Sequence, residues 1–194
     1  RGRLGQLQAE GARSAPVLVT PPAEVAAPPS FVVSERTRAF RALHYTQFLR
    51  ELMEAGRLNI EGEMPLKVTF HDPCYLGRQG GDYESPRQVL SGIAGVELVE
   101  MEHNREDALC CGGGGGRMWL ETPASERFAD IRVAEARQTG AEIIGTACPH
   151  CVSCLEDGVA GDANLRVADV AELVAWALAK PAPARATAEA GVTP

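Results

Sequence analysis

Residues 66–74 read Leu66-Lys67-Val68-Thr69-Phe70-His71-Asp72-Pro73-Cys74. Apolar and polar side chains alternate from Leu66 to Phe70, the period of a strand with one face turned to a core. Pro65 introduces this strand and it stops at Pro73-Cys74. A strand that ends on a cysteine delivers a thiolate to the carboxyl edge of a sheet, where α/β folds hold their ligands. The same event recurs downstream. Ala141 to Thr146, with Ile143 and Ile144 at its heart, reads as a strand that runs into Ala147-Cys148-Pro149-His150-Cys151. Pro149 suits the first turn of a helix, whose free N–H groups and macrodipole favour an anion. Two further strands, Val96–Met101 and Leu165–Val167, are expected. Helices are expected over 37–55 (Thr37 as N-cap, Gly56 after its end), from Ser85-Pro86 to Gly95, over 124–139 with Phe128, Ile131, Val133, Ala134 and Ala136 on or near one face, and from Asp169 through Leu173, Val174, Trp176 and Leu178. Strands alternating with helices predict an α/β fold: a small, mostly parallel sheet with helices on both faces, its cysteines gathered at one edge of the sheet.

Between these junctions lies Cys110-Cys111 followed by Gly112, Gly113, Gly114, Gly115, Gly116 and Arg117. Five glycines would ruin a core strand, since each costs ordering entropy and packs nothing. A linker would have no use for paired thiols. Both halves suit a backbone that comes close to something bulky while two thiolates bind it. Successive free N–H groups form a nest for an anion. An iron–sulfur cluster is bulky, anionic and held by thiolates.

The six cysteines are Cys74, Cys110, Cys111, Cys148, Cys151 and Cys154. An even count suits disulfides in a secreted protein. A chain of 194 residues does not need such staples, however, and adjacent cysteines and a C-x-x-C-x-x-C run are poor disulfide geometry. Metal or redox chemistry in a reducing compartment is the expectation. The net charge of −7 argues against a nucleic-acid or membrane-surface binder. No apolar run is long enough to span a bilayer. The chain opens with Arg1-Gly2-Arg3 and shows no signal peptide, and the missing initiator Met suggests a fragment or a processed product. Residues 1–36, rich in Ala and Pro, read as a flexible linker (Val17 to Val19 being at most a short strand), 37–180 as the cysteine-rich domain, and 181–194 as a disordered tail.

Other candidates have two readings each. His71 and Asp72 orient a ligand or a loop through hydrogen bonds, or cap the strand end. Arg78, in a glycine-rich loop from Gly77 to Tyr83, neutralises charge at the site or is solvated. Trp119 shields the site from water or anchors a core or an interface. His44 is a surface or packing histidine and His103 a loop residue.

As a pattern the cysteines read Cys, thirty-five residues, Cys-Cys, thirty-six residues, Cys-x-x-Cys. Five thiolates are one too many for a tetrahedral zinc site or a simple cubane. The pattern, with His71-Asp72-Pro73-Cys74, Cys110 to Gly116 and Ala147-Cys148-Pro149-x-Cys151, resembles the CCG cysteine-rich domain of the heterodisulfide reductase B and D subunit family. That family includes iron–sulfur subunits of glycolate and lactate oxidases and proteins linked to electron-transfer flavoprotein. The resemblance implies a non-cubane [4Fe-4S] cluster held by Cys74, Cys110, Cys111, Cys148 and Cys151, with Gly112, Gly113, Gly114, His71 and Arg78 binding around it. Cys154 falls outside the pattern and reads as a small buried helix residue. The resemblance also implies a flavoprotein or dehydrogenase subunit as partner, with a ferredoxin-like or membrane subunit besides, and a place in the cytoplasm or at the inner face of the membrane through a partner. Family members often carry tandem copies of the domain and a ferredoxin module, which this sequence lacks.

Four functions compete at this point. The first is an electron-transfer module between a flavoprotein dehydrogenase and a quinone-side or thiol/disulfide acceptor. The others are a catalytic disulfide-reducing subunit, a structural zinc domain, and a thioredoxin-like dithiol at Cys148 and Cys151.

Overall fold

A computed structural model describes residues 41–123 and 126–179. Four strands, β1 (Glu63–Phe70), β2 (Ala94–Val99), β3 (Ile143–Thr146) and β4 (Arg166–Asp169), form one sheet in the order β2-β1-β3-β4. Every pairing is parallel, with Val68 opposite both Leu98 and Ile143, and Thr146 opposite Asp169. The helices are α1 (Tyr45–Glu54), α2 (Glu84–Ser91), α3 (Phe128–Gln138), α4 (Pro149–Val159) and α5 (Val170–Ala179). Successive strand residues face opposite ways, and the core divides accordingly. Val68, Phe70 and Ile143 pack with Val89 and Leu90 of α2, Leu173 of α5 and, at the margin, Leu49 of α1. Ile144 packs on the other face with Val133 and Ala136 of α3 and Leu155 of α4. Each such fully buried side chain contributes on the order of 1.5–3 kcal/mol.

The strand order places the site. The chain leaves β1 for β2 on one side, returns past β1 to β3, and continues outward to β4. Winding therefore reverses between β1 and β3, and in open parallel sheets the crevice at the carboxyl ends of such strands holds the ligand. Those ends are His71–Cys74 and Ala147–Cys148.

Several boundaries differ from the sequence expectation. Of the helix expected over 37–55, residues 37–40 lie outside the described residues and 41–44 are not helical. The helix begins at Tyr45 because His44 is its N-cap: extended at ψ 147°, it accepts the Thr46 N–H on Nδ1, and Gln47 Oε1 accepts the His44 N–H. Helix α2 ends at Ser91 on Gly92 rather than at Gly95, and β2 begins earlier, at Ala94. Met101, expected on that strand, is buried with Val133 and Ile144. The Gly77–Tyr83 stretch is no open loop but includes part of a single π turn, Tyr75–Gln79, in which a Cβ on Gly77 would lie 2.5 Å from the Tyr83 ring.

The largest difference is in α3. Phe128 and Ile131, expected on its buried face, are 40% and 44% exposed, and Arg132 and Glu135 are buried beside Val133 and Ala136. The charged pair wins the inner face because its partners lie there, as described below. Trp119 is 82% exposed and belongs to neither core. Asp169 does cap the last helix, accepting the Ala171 N–H at 2.8 Å. The linker over 1–36 with its Val17–Val19 strand, and the tail over 181–194, fall outside the described residues. Among those described, no helix is long and apolar enough to cross a membrane.

Candidate metal centre at the carboxyl edge of the sheet

Three segments meet at the switch point. The end of β1 is tied to the end of β3: His71 N–H donates to Gly145 O (2.8 Å) and Thr146 Oγ1 donates to His71 O (3.1 Å). The chain then turns through Pro73 to Cys74. From β3, Cys148 is the extended N-cap of α4 with Pro149 behind it, and Cys151, one turn on, is buried. The third segment is the loop that ends in Cys110 and Cys111. Cys74, Cys110, Cys111 and Cys151 line one cavity together with His71 and Arg78. Cys148 does not line it but stands three residues before Cys151 at the N-cap of α4. His71, Cys111 and Cys151 bring ligand atoms within 4.8 Å of one another.

The thiols polarise one another. Cys111 is held far below the ordinary thiol range by hydrogen bonds from Cys110 and Cys151, and then, against its burial, by His71 and the Gly113 N–H. Cys148 is lowered to about 5 by the Cys151 thiol, and then, against burial, by the backbone N–H groups of Cys151 and His150 at the start of α4. Cys110 and Cys151 are the donors, and both are pushed up: Cys110 by its bond to Cys111 and by burial, Cys151 by its bonds to Cys111 and Cys148.

The glycines divide. Gly112 N–H donates to Cys110 Sγ (3.3 Å) and Gly113 N–H to Cys111 Sγ (3.5 Å). Gly112 sits at φ +88°, a conformation that costs any residue with a Cβ, which here would also crowd Phe128. Gly113 has ordinary angles but no room: a Cβ would lie 2.9 Å from Cys154 Sγ. Gly114 is exposed and lines neither this cavity nor the cleft beside it. Arg78 donates from Nε to Glu106 O and from Nη2 to Ala108 O, so its guanidinium braces the loop leading to the double cysteine as well as facing the cavity. Cys154 is half-buried on the far side of Cys111, where it borders an open cleft with Arg117 and Phe128. Trp119 borders neither space.

Two buried polar chains support the site; the sequence offered His71 and Asp72 as hydrogen-bonding groups for a ligand or a loop, but not the arginines that partner them. Asp72 accepts from Nη1 and Nη2 of Arg87 (2.6 and 2.9 Å), and Arg87 also holds Glu100 (2.6 and 2.9 Å). Asp72 Oδ2 further accepts the Arg105 N–H (2.8 Å), which holds Arg105 at φ +53°, an unfavourable value for a residue with a side chain. His71 accepts on Nδ1 from Arg132 Nε (3.2 Å), and Arg132 Nη1 donates to Glu135 Oε2 (2.6 Å) and His103 O (2.7 Å). Glu135 Oε1 faces His103 Nδ1 at 3.0 Å. The signal for Arg132 was present in the helical period Ala129, Arg132, Val133, Ala136, which carries a charged residue in a core position.

Residues 68–156 match the family model of a cysteine-rich domain, CCG. A "probable membrane-anchored ferredoxin" of Chromohalobacter salexigens is 44% identical over 73% of this chain and 21% of its own length. A "probable iron-sulfur-binding oxidoreductase FadF" of Bacillus subtilis is 40% identical over 68% of this chain and 19% of its own. A polypeptide of the dihydromethanophenazine:CoB–CoM heterodisulfide reductase of Methanosarcina barkeri is 41% identical over 72% of this chain and 34% of its own. The chain thus spans about a fifth to a third of these relatives. The segment from residue 68 to residue 156 that is similar to the CCG cysteine-rich domain is the one that contributes all three cysteine groups of the switch-point cavity.

Proposed function

We propose that the domain is an iron–sulfur electron-transfer module of a larger oxidoreductase. Its group would be a non-cubane [4Fe-4S] cluster held by Cys74, Cys110, Cys111, Cys148 and Cys151. The observation that carries this reading is the convergence of thiols from three segments on one cavity, with Cys148 at the N-cap of the helix that carries Cys151. The donor set fits. Five thiols exceed the four of a tetrahedral zinc site. Asp72 lines the cavity, but both its oxygens are taken by Arg87 and the Arg105 N–H.

Bound there, the cluster would supply one-electron chemistry. The chain's own residues do the rest. The Gly112 and Gly113 N–H groups donate to thiolate sulfur and stabilise added negative charge, and the buried strand ends keep water from one side. The relatives' names, among them a membrane-anchored ferredoxin and an EtfAB:quinone oxidoreductase, support a partner that is a flavoprotein or a membrane-side subunit. A cytoplasmic domain reaching the membrane through such a partner fits both.

One observation favours a second reading, a catalytic disulfide-reducing subunit. The open cleft beside Cys154 reaches Cys111 from outside and would admit a small thiol. A thiol titration that shifts the visible spectrum of the loaded domain would favour catalysis over a pure relay. The deciding experiment for both is metal analysis of anaerobically purified protein. About four irons with matching sulfide per chain are expected, lost in Cys110→Ser and Cys111→Ser and kept in Cys154→Ser. One zinc without sulfide, or iron retained in both the Cys110 and Cys111 variants, would refute the assignment.

A further inference from the structure

Arg132 is completely buried, one helix away from the cysteines, and its guanidinium is only partly satisfied. Nε donates to His71 Nδ1 and Nη1 to Glu135 and the His103 carbonyl, while Nη2 finds no partner among the described residues. A guanidinium has five N–H groups and no acceptor. The His71 nitrogen facing Nε must therefore offer its lone pair. That excludes a proton on Nδ1, so the ring is neutral and its proton sits on Nε2. A ring in this state has no second lone pair to give a metal, and coordination through Nε2 would require an imidazolate. What the ring can give is a hydrogen bond, and the Cys111 and Cys151 sulfurs lie within 4.8 Å of a ring nitrogen.

We infer that His71 donates a hydrogen bond from Nε2–H to the Cys111 sulfur and is not a ligand of the metal group, and that Arg132 is the positioning residue that imposes this tautomer. The inference rests on the iron–sulfur reading above and goes beyond it. It assigns a role to the imidazole whose ligand atom lies within 4.8 Å of those of Cys111 and Cys151, and it gives a physical reason for a cation on the core face of α3. Geometry alone would let His71, Cys111 and Cys151 form a three-ligand site, and Arg132 is what prevents it. A donor to a thiolate, with a buried cation one ring behind it, favours the state carrying the extra electron. Removing either moves the reduction potential to more negative values.

The test uses the chain purified anaerobically with its metal, labelled with ¹⁵N-histidine. Iron and sulfide, the reduction potential and the pulsed-EPR nitrogen coupling of the paramagnetic state are measured on the same samples. Wild type is expected to show a weak ¹⁵N coupling, that of a nitrogen reached through a hydrogen bond. His71→Leu should keep iron and sulfide, lose this coupling and shift to a more negative potential. His71→Gln, whose amide can still donate, should recover part of that shift. Arg132→Gln combined with Glu135→Gln removes both charges of the buried pair together and should also shift the potential negatively without loss of iron. A strong coupling, that of a directly bound nitrogen, would overturn the inference without any variant having to fold. Loss of iron in both His71→Leu and His71→Gln would also overturn it, in favour of His71 as ligand. Potentials unchanged in the Leu and double-Gln variants would reduce the chain to a structural ion pair. Absence of iron and sulfide from wild type would remove the iron–sulfur reading itself, an outcome that the metal analysis tells apart from the others.

Discussion

Arg87→Met should cost the domain about 4 kcal/mol, and the figure follows from where the side chain sits. In the Arg87–Asp72 pair the side chains are 5% and 3% exposed, so water repairs little if one partner goes. Removing one member of such a buried pair costs on the order of 3–5 kcal/mol, chiefly because the other charge is left uncompensated. Asp72 would keep only the Arg105 N–H. The Glu100 side is 31% exposed, so its loss adds no more than about 1 kcal/mol. Arg87→Lys should fall between Met and wild type: one ammonium cannot span two carboxylates that the guanidinium grips in parallel. Urea unfolding of identically prepared anaerobic samples, followed by far-UV circular dichroism, reads the effect. With a slope of about 2 kcal/mol per molar, the midpoint should drop by about 2 M for Met. Asp72→Asn made in the Arg87→Met background should cost clearly less than in wild type, since the two share one interaction. A loss under about 1 kcal/mol for Met, or strict additivity with Asp72→Asn, would refute the argument.

Three more outcomes are expected. Gly113→Ala is acceptable to the backbone but sets a Cβ 2.9 Å from Cys154 Sγ. A melting experiment should show about 1–3 kcal/mol lost, most of it restored by adding Cys154→Ala, and an equal loss in both backgrounds would sink the steric account. Burial alone would raise the Glu135 carboxyl, but the His103 N–H and the Arg132 guanidinium outweigh it and hold the group below its ordinary value. A depressed carboxyl contributes stability that is present above the unfolded value of about 4.3 and lost as pH falls through the folded one. Stability measured from pH 6 downward should therefore decline less steeply in Glu135→Gln than in wild type, and parallel curves would show that the carboxylate carries no such role. Trp119→Ala should leave stability within about 0.5 kcal/mol, given how exposed the ring is. A melting temperature lower by several degrees would mean that the indole packs on something.

How legible the chain was depended on whether a feature is local. The alternation over Leu66–Phe70 and the Ile143-Ile144 pair report strands directly, because the period of two belongs to the strand itself. Pro73 and Pro149 mark where those strands hand over to cysteines. The prolines and spacing therefore predict the sheet edge and the company of thiols there. The inner face of α3 was not legible in this way. Apolar weight points to Phe128 and Ile131, and the residues that turn inward, Arg132 and Glu135, do so for His71 and His103, some thirty to sixty positions away. Burial of a charge depends on a partner, and the partner is visible only once β1 and α3 are side by side. The start of α1 was misplaced for a smaller reason of the same kind, since a histidine is an uncommon N-cap and Thr37 a common one.

The adjacent residues His71 and Asp72 explain why this edge is so heavily wired. They follow the last residue of β1, and their side chains serve opposite partners: His71 reaches Arg132 on α3, and Asp72 reaches Arg87 on α2. These two helices cover opposite faces of the sheet, as the division of the core shows. Both chains then converge on one loop, because Asp72 holds the Arg105 N–H while Arg132 and Glu135 hold the backbone of His103. That loop leads directly to Cys110 and Cys111. The double cysteine is thus fixed against β1 from both layers at once, by groups whose displacement would strand buried charge. A site that must present thiolates from three segments at fixed separations needs such rigidity, since glycines on its far side supply none. The arrangement also separates two tasks. Asp72 and Arg87 set where the loop lies, and their loss should appear first as stability. His71 adjoins the sulfur with Arg132 behind it, and their loss should appear first in the electronic properties of whatever the thiolates hold.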